Sequence, residues 1–187
     1  LDTLVHVANG IYENCPNDEA HELFKLPEFV NKMMENQWLG SKTGQGFYKK
    51  EDKEILTLDL DTLEYRANKK ASFATLELTK TIDKPIDRFK VLVKGKDKAG
   101  DFYRKNFTSM FQYVSNRIPE ITEDLYKIDD AMKAGFGWEN GPFEIWDAIG
   151  VEKGIELMKA EGYEPAAWVN EMLASGVTSF YTVKDGA

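Results

Sequence analysis

The stretch Lys42-Thr43-Gly44-Gln45-Gly46-Phe47-Tyr48 holds the residue types in this chain best suited to ligand chemistry. A lysine beside two glycines can offer a charge and bare backbone N–H groups to a phosphate. The order is wrong for a Walker loop, in which the lysine follows the glycines and opens a helix. It is also wrong for a dinucleotide fingerprint, since Gly44 and Gly46 lack a third glycine at the required place. Two readings of the loop stand: a turn that seats Phe47 and Tyr48 against a core, and an anion contact through Lys42. His6 and His21 have no partner at metal-ligand spacing and read as surface or partly buried residues. The runs "EYRANKK" and "VLVKGKDK" read as solvated basic faces, with adenosine-phosphate contact as the sharper alternative. There is no Ser-His-Asp order and no paired set of catalytic carboxylates. The sequence therefore predicts no catalytic residue, no cofactor-binding residue and no metal site within this chain.

The elements that must position these residues are mostly helical. Leu1, Leu4, Val5, Ala8, Ile11 and Tyr12 share one face of a helix running to about Glu13. Pro27 opens a second helix over "PEFVNKMMEN" at a first-turn position. Past the glycine loop, "EILTLDLDTLEYRA" alternates apolar and polar residues around a turn-forming "DLDT", which predicts a small hairpin. Short helices are expected around 73–78 and 86–93. From Lys98 the pattern strengthens, with Tyr103, Phe107, Met110, Val114 and Ile118 forming one apolar stripe. Pro119 is expected to close that helix and open another bearing Ile121, Leu125, Ile128 and Met132. "GFGWENGPFEIWDAIG" then breaks the rhythm, Pro142 restarts it, and two helices follow in "VEKGIELMKAEG" and "PAAWVNEMLAS". The fold class expected is mainly α with a small β element.

An internal repeat is visible in the same pattern. Phe29, Val30, Asn31, Met33 and Met34 align with Trp168, Val169, Asn170, Met172 and Leu173. Each run leads through a glycine-containing turn to a Phe-Tyr pair, Phe47-Tyr48 and Phe180-Tyr181. "LDTLVHVA" from Leu1 lies against "VEKGIELM" from Val151. Chance similarity between two amphipathic helices is the competing reading. If the repeat holds, the first copy is cut, and a counterpart of "GFGWENGPFEIWDAIG" is expected ahead of Leu1 in a longer parent.

Composition narrows the partners. With 32 acidic against 24 basic residues the net charge is −8, which argues against nucleic acid or an anionic membrane as main partner. The single cysteine, Cys15, rules out an internal disulfide and fits a reducing compartment, so a cytoplasmic location is expected. No apolar run approaches a membrane span.

"GSKTGQGFY" and "GFGWENGPFEIWDAIG" together resemble the C-terminal helical domain of the 3-hydroxyacyl-CoA dehydrogenase family. Ser41 stands where that family usually has a basic residue. The resemblance implies a truncated first repeat at 1–49, a connector at 50–95 and a second repeat at 96–187. It further implies that the two repeats pack as a pseudo-dimer, with the hairpin in the connector. Tandem copies resemble the fused β-oxidation proteins that also carry an enoyl-CoA hydratase. The activity implied is NAD-dependent oxidation of 3-hydroxyacyl-CoA, with NAD and the His-Glu pair residing in a Rossmann domain outside this chain. The fragment alone is expected to be inactive. Within the chain the resemblance points to an acyl-CoA substrate near Asn116, in the "NR" pair Asn116-Arg117, and near Trp138, with Lys42 a third candidate. A non-catalytic helical assembly module is the alternative function.

Overall fold

A computed structural model describes residues 1–182, and the chain divides into two units, Leu1–Ala71 and Ser72–Ala187. The last five positions of the expected second repeat, 183–187, lie outside the described residues. Among the described residues the chain is mainly helical with one small antiparallel sheet. No helix among the described residues is long and apolar enough to cross a membrane.

In the first unit, α1 (Asp2–Asn14) and α2 (Glu28–Glu35) are joined by a loop with one 3-10 turn, His21–Phe24. Pro27 sits at the N-cap of α2 rather than inside its first turn. The unit buries Ala8, Val30, Met33 and Leu58. The predicted hairpin forms as β2 (Glu54–Leu58) and β3 (Tyr65–Ala67), with Leu58 opposite Tyr65. A strand the sequence reading did not anticipate, β1 (Tyr48–Glu51), pairs with β2 and places Tyr48 opposite Thr57. "YKKE" lacks the apolar alternation that marks a strand, and its pairing follows from the tight turn at Asp52 and Lys53. The sheet lies within the first unit.

The second unit contains α3 (Ala74–Thr79), α4 (Pro85–Leu92), α5 (Lys98–Asn116), α6 (Leu125–Phe136), α7 (Pro142–Ile149), α8 (Val151–Ala160) and α9 (Ala167–Ala174). Asp97 caps α5: its carboxylate accepts the N–H of Gly100 at 3.0 Å and the N–H of Thr75 at 2.9 Å, which ties α3 to the start of α5. The buried face of α5 is centred on Thr108, Phe111, Val114 and Ser115, rotated from the predicted stripe. Sequence periodicity missed this because two members are hydroxyl residues. Their side chains are satisfied by carbonyls one turn back, Arg104 for Thr108 and Gln112 for Ser115, which lowers the cost of burying them. α6 begins at Leu125 rather than at Pro119, and Ile121 is 70% exposed in the intervening turn.

The core of this unit is aromatic. Trp146 stacks on Phe111 with centroids 4.7 Å apart and planes 9° from parallel. Phe180 meets Phe143 and Trp146 edge-on at 5.0 and 5.1 Å. Such pairs contribute about 0.5–1.5 kcal/mol each beyond the area they bury.

Candidate functional site

The "GPFE" turn is built around a buried carboxylate. Asp129 on α6 is 1% exposed. Its Oδ1 accepts the N–H of Phe143 at 2.9 Å, and its Oδ2 accepts the N–H of Glu144 at 3.0 Å and the hydroxyl of Tyr181 at 2.9 Å. The two backbone donors belong to the first turn of α7, where the helix dipole favours negative charge. Gly141 is required because a Cβ there would fall on the Asp129 side chain. Pro142 pre-sets the first helical residue, and Glu144 closes the turn by accepting the N–H of Gly141 at 2.8 Å. Lys133 pairs with the same Glu144 at 2.8 Å.

A second carboxylate on α7 holds the segment after α9. Asp147 accepts the N–H groups of Phe180 and Tyr181 at 2.8 and 2.9 Å, one on each oxygen. The Trp146 indole N–H donates to the carbonyl of Val151 at 3.1 Å, and Gly154 leaves room for that indole. Burial pushes the carboxyl groups of Asp129 and Asp147 above the ordinary carboxylate range, against the lowering effect of their hydrogen bonds. Burial and the Asp129 charge push the Tyr181 phenol upward as well. Each carboxylate is held by donors of the fold itself, so the network positions elements and offers no oxygen poised on a substrate.

Beside this network α5 and α6 enclose an apolar cleft of about 450 Å³. Met110, Val114, Ile128, Met132 and Trp138 contribute to its walls, and Arg117 and Lys127 reach its lining. The Arg117 guanidinium lies over the Tyr113 ring at 4.7 Å and pairs with Glu120 at 2.8 Å, while Lys127 pairs with Asp124 at 2.9 Å. The cleft suits an apolar chain or side chain, with charge confined to its edge.

Of the residues expected to meet substrate, Trp138 lines this cleft and is 38% exposed. Asn116 is the half-buried last residue of α5, beside Arg117 but outside the cleft lining. Lys42 belongs to the first unit, where its ammonium is paired with Asp2. The loop around it is closed on itself. Thr43 Oγ1 accepts the N–H of Leu39 at 3.0 Å, Gly40 N–H donates to Gln45 O at 2.8 Å, and Gly46 packs against the Gly40 backbone. Contrary to the expected seating, the turn leaves Phe47 40% and Tyr48 60% exposed. His21 stacks on Tyr12 at 4.1 Å, and among the described residues no cluster of His, Cys, Asp or Glu could hold a metal ion. The roles of Asp129 and Tyr181 escaped the sequence reading. The available signal was an acid placed beside the apolar stripe of α6.

Residues 102–182 match the family model of the 3-hydroxyacyl-CoA dehydrogenase C-terminal domain. A Bacillus subtilis (strain 168) protein named as a probable 3-hydroxyacyl-CoA dehydrogenase is 41% identical over 186 residues, covering all of this chain and 23% of the relative. A Rickettsia prowazekii protein bearing the name of a fatty acid oxidation complex trifunctional enzyme is 25% identical over 164 residues, 84% of this chain and 21% of its own length. Its namesake in Rickettsia felis is 27% identical over 151 residues, 77% of this chain and 19% of its own length. The chain thus spans less than a quarter of each of these curated relatives. No solved structure matches the chain significantly. Over residues 102–182 the second unit is similar in sequence to the C-terminal domain of the 3-hydroxyacyl-CoA dehydrogenase family.

Proposed function

We propose that the chain is the substrate-side and dimer-forming portion of an NAD-dependent 3-hydroxyacyl-CoA dehydrogenase, which converts 3-hydroxyacyl-CoA to 3-ketoacyl-CoA in fatty-acid β-oxidation. The observation that carries this reading is the Asp129–Asp147–Tyr181 network beside an apolar cleft, lying within the segment that matches the family model. A rigid wall of that kind positions an acyl chain, and proton and hydride transfer belong to residues elsewhere. The residues described here do not fit NAD. The sheet is antiparallel, and Gly44 and Gly46 lead into strand β1 rather than into a helix N-terminus that could hold a pyrophosphate. In this reading the nicotinamide cofactor is held by another part of the parent enzyme. A fused enoyl-CoA hydratase, a cytoplasmic location and internal pairing of repeats 1–49 and 96–187 belong to the same reading. So do the substrate contacts assigned to Trp138 and Asn116, with Lys42 as an anion contact.

The test is titration of the chain with acetoacetyl-CoA, followed by tryptophan fluorescence, and with NADH added to look for turnover. Saturable binding without NADH oxidation is expected, with Trp138→Ala weakening it about 10-fold, as loss of about 1.4 kcal/mol implies. Absence of binding at millimolar ester would leave the helical assembly module as the better account. Turnover would place catalytic residues inside this chain and overturn the reading.

A further inference from the structure

Charge is unevenly distributed along this acidic chain. Residues 90–105 hold six Lys and Arg against two Asp, while the remaining positions hold 18 basic against 30 acidic residues. One of those two acids, Asp97, engages its carboxylate with the N–H groups of Thr75 and Gly100. Among the described residues Lys90, Lys94, Lys96 and Lys98 form no ion pair. Salt screens charges farther off than about 10 Å, so an anion here meets the local positive charge rather than the net negative one.

The basic segment borders a hollow of about 520 Å³ between α3 and the start of α5. Phe73, Leu76, Phe102 and Tyr103 give it apolar walls, and Lys98 and Lys105 share the lining. The volume falls within the range of about 300–1,000 Å³ typical of small-molecule sites. Its two walls are fixed relative to each other. The Asp97 carboxylate ties α3 to α5, and Gly95 admits the Thr75 side chain where a Cβ would strike it. Phe102 is 59% exposed although it lines the hollow, and it meets Tyr103 edge-on at 5.5 Å. Asp101 lines it too, with Arg104 at 3.7 Å from one carboxylate oxygen and Lys105 at 3.1 Å from the other. Those contacts leave lone pairs on both oxygens for further donors.

We propose that this hollow is a binding site for a purine nucleoside 5′-diphosphate. The purine stacks on the Phe102 ring beside Phe73 and Leu76. Asp101 accepts the 2′- and 3′-hydroxyls of the ribose, and Lys98 and Lys105 meet the phosphates. A bare anion would use the lysines alone and leave the aromatic wall in water. A wholly apolar ligand would leave the lysines and Asp101 without a role. The ribose diol separates this occupant from coenzyme A, whose 3′-phosphate would be brought against the Asp101 carboxylate. The hollow shares no lining residue with the cleft between α5 and α6, and the inference does not rest on the acyl-CoA reading.

The test is calorimetric titration of the chain with ADP, inorganic pyrophosphate and coenzyme A. Saturable ADP binding is expected, weakened about 10-fold by Phe102→Ala through loss of one base–aromatic stack. Lys98→Glu and added salt should each weaken ADP and pyrophosphate alike. Coenzyme A should bind at least about 10-fold more weakly than ADP, and Asp101→Asn should narrow that gap. Phe102 and Lys98 are exposed, so both variants keep the fold, which circular dichroism checks. Pyrophosphate bound as tightly as ADP, or ADP binding indifferent to Phe102→Ala, would reduce the hollow to a patch of surface charge and overturn the proposal. Coenzyme A bound as tightly as ADP, and equally sensitive to Phe102→Ala, would overturn it as well. So would the absence of ADP binding at millimolar concentration. Acetoacetyl-CoA binding that Trp138→Ala weakens and Phe102→Ala does not bears on the cleft alone, so the two readings fail separately.

Discussion

The Tyr181 hydroxyl donates to Asp129, 52 positions earlier in the chain, at 2.9 Å, while the Tyr181 N–H donates to Asp147 at 2.9 Å. One residue thereby locks the segment after α9 to both α6 and α7. Tyr181→Phe keeps the ring and removes the donor, leaving a buried carboxylate oxygen one bond short. A loss of about 1–3 kcal/mol is expected, and denaturant unfolding at neutral pH measures it. A loss within experimental error would show that Asp129 finds another donor.

Asp147→Asn replaces two acceptor oxygens by one and turns an amide N–H₂ toward a backbone N–H. Amide exchange at Phe180 and Tyr181 should accelerate at least about 10-fold, while the amides of α5 keep their protection. Equal acceleration in α5 would mean that the segment after α9 and the core open together.

Gly154→Ala and Gly141→Ala probe the two close approaches. The first puts a methyl on the Trp146 indole and the second puts one on the Asp129 side chain. Neither neighbour is the free end of a flexible side chain, so each substitution should destabilise by about 1–3 kcal/mol. The helix-propensity gain of up to about 1 kcal/mol expected for Gly→Ala within α8 should not offset the first. Thermal melts of both variants decide the matter, and a stabilised Gly154→Ala would contradict the packing described.

Acid should expose the cap of α5. Hydrogen bonds from Thr75 and Gly100 hold the Asp97 carboxyl at about 2, below its ordinary value of 3.8. The folded value is the lower one, so the contribution of Asp97 is full above 3.8 and fades as pH falls towards about 2. Asp129 and Asp147, whose folded values are raised, act in the opposite sense and favour the fold more as they take up protons. The stability gap between wild type and Asp97→Asn should therefore shrink between pH 4 and pH 2. Urea titrations at several pH values test this, and a constant gap would argue against a charged cap.

Much of the helical frame was legible because apolar spacing and the Pro and Gly punctuation agree with one another, as at Pro142 and Gly150 around α7. Three features were not. The strand at Tyr48–Glu51 exists through its pairing with Glu54–Leu58, and no local pattern announces it. The buried face of α5 passes through Thr108 and Ser115, whose hydroxyls look like surface residues until their carbonyl partners are known. Ile121 falls in register with Leu125 by coincidence, which hides the true start of α6. As for the site, Trp138 stands out from its glycine-rich surroundings. The partners of Asp129 lie 14, 15 and 52 positions away, which no local pattern can reveal.

The position of Tyr181 also bears on how the protein is made. During vectorial synthesis α5, α6 and α7 emerge from the ribosome well before the residue that ties α6 and α7 together. Until then Phe143 and Trp146 lack the Phe180 ring that covers them, and Asp129 and Asp147 lack three of their donors. The nascent second unit thus spends its elongation with a half-covered aromatic surface. Its cooperative closure is a late event, completed only when the last part of the unit clears the exit tunnel.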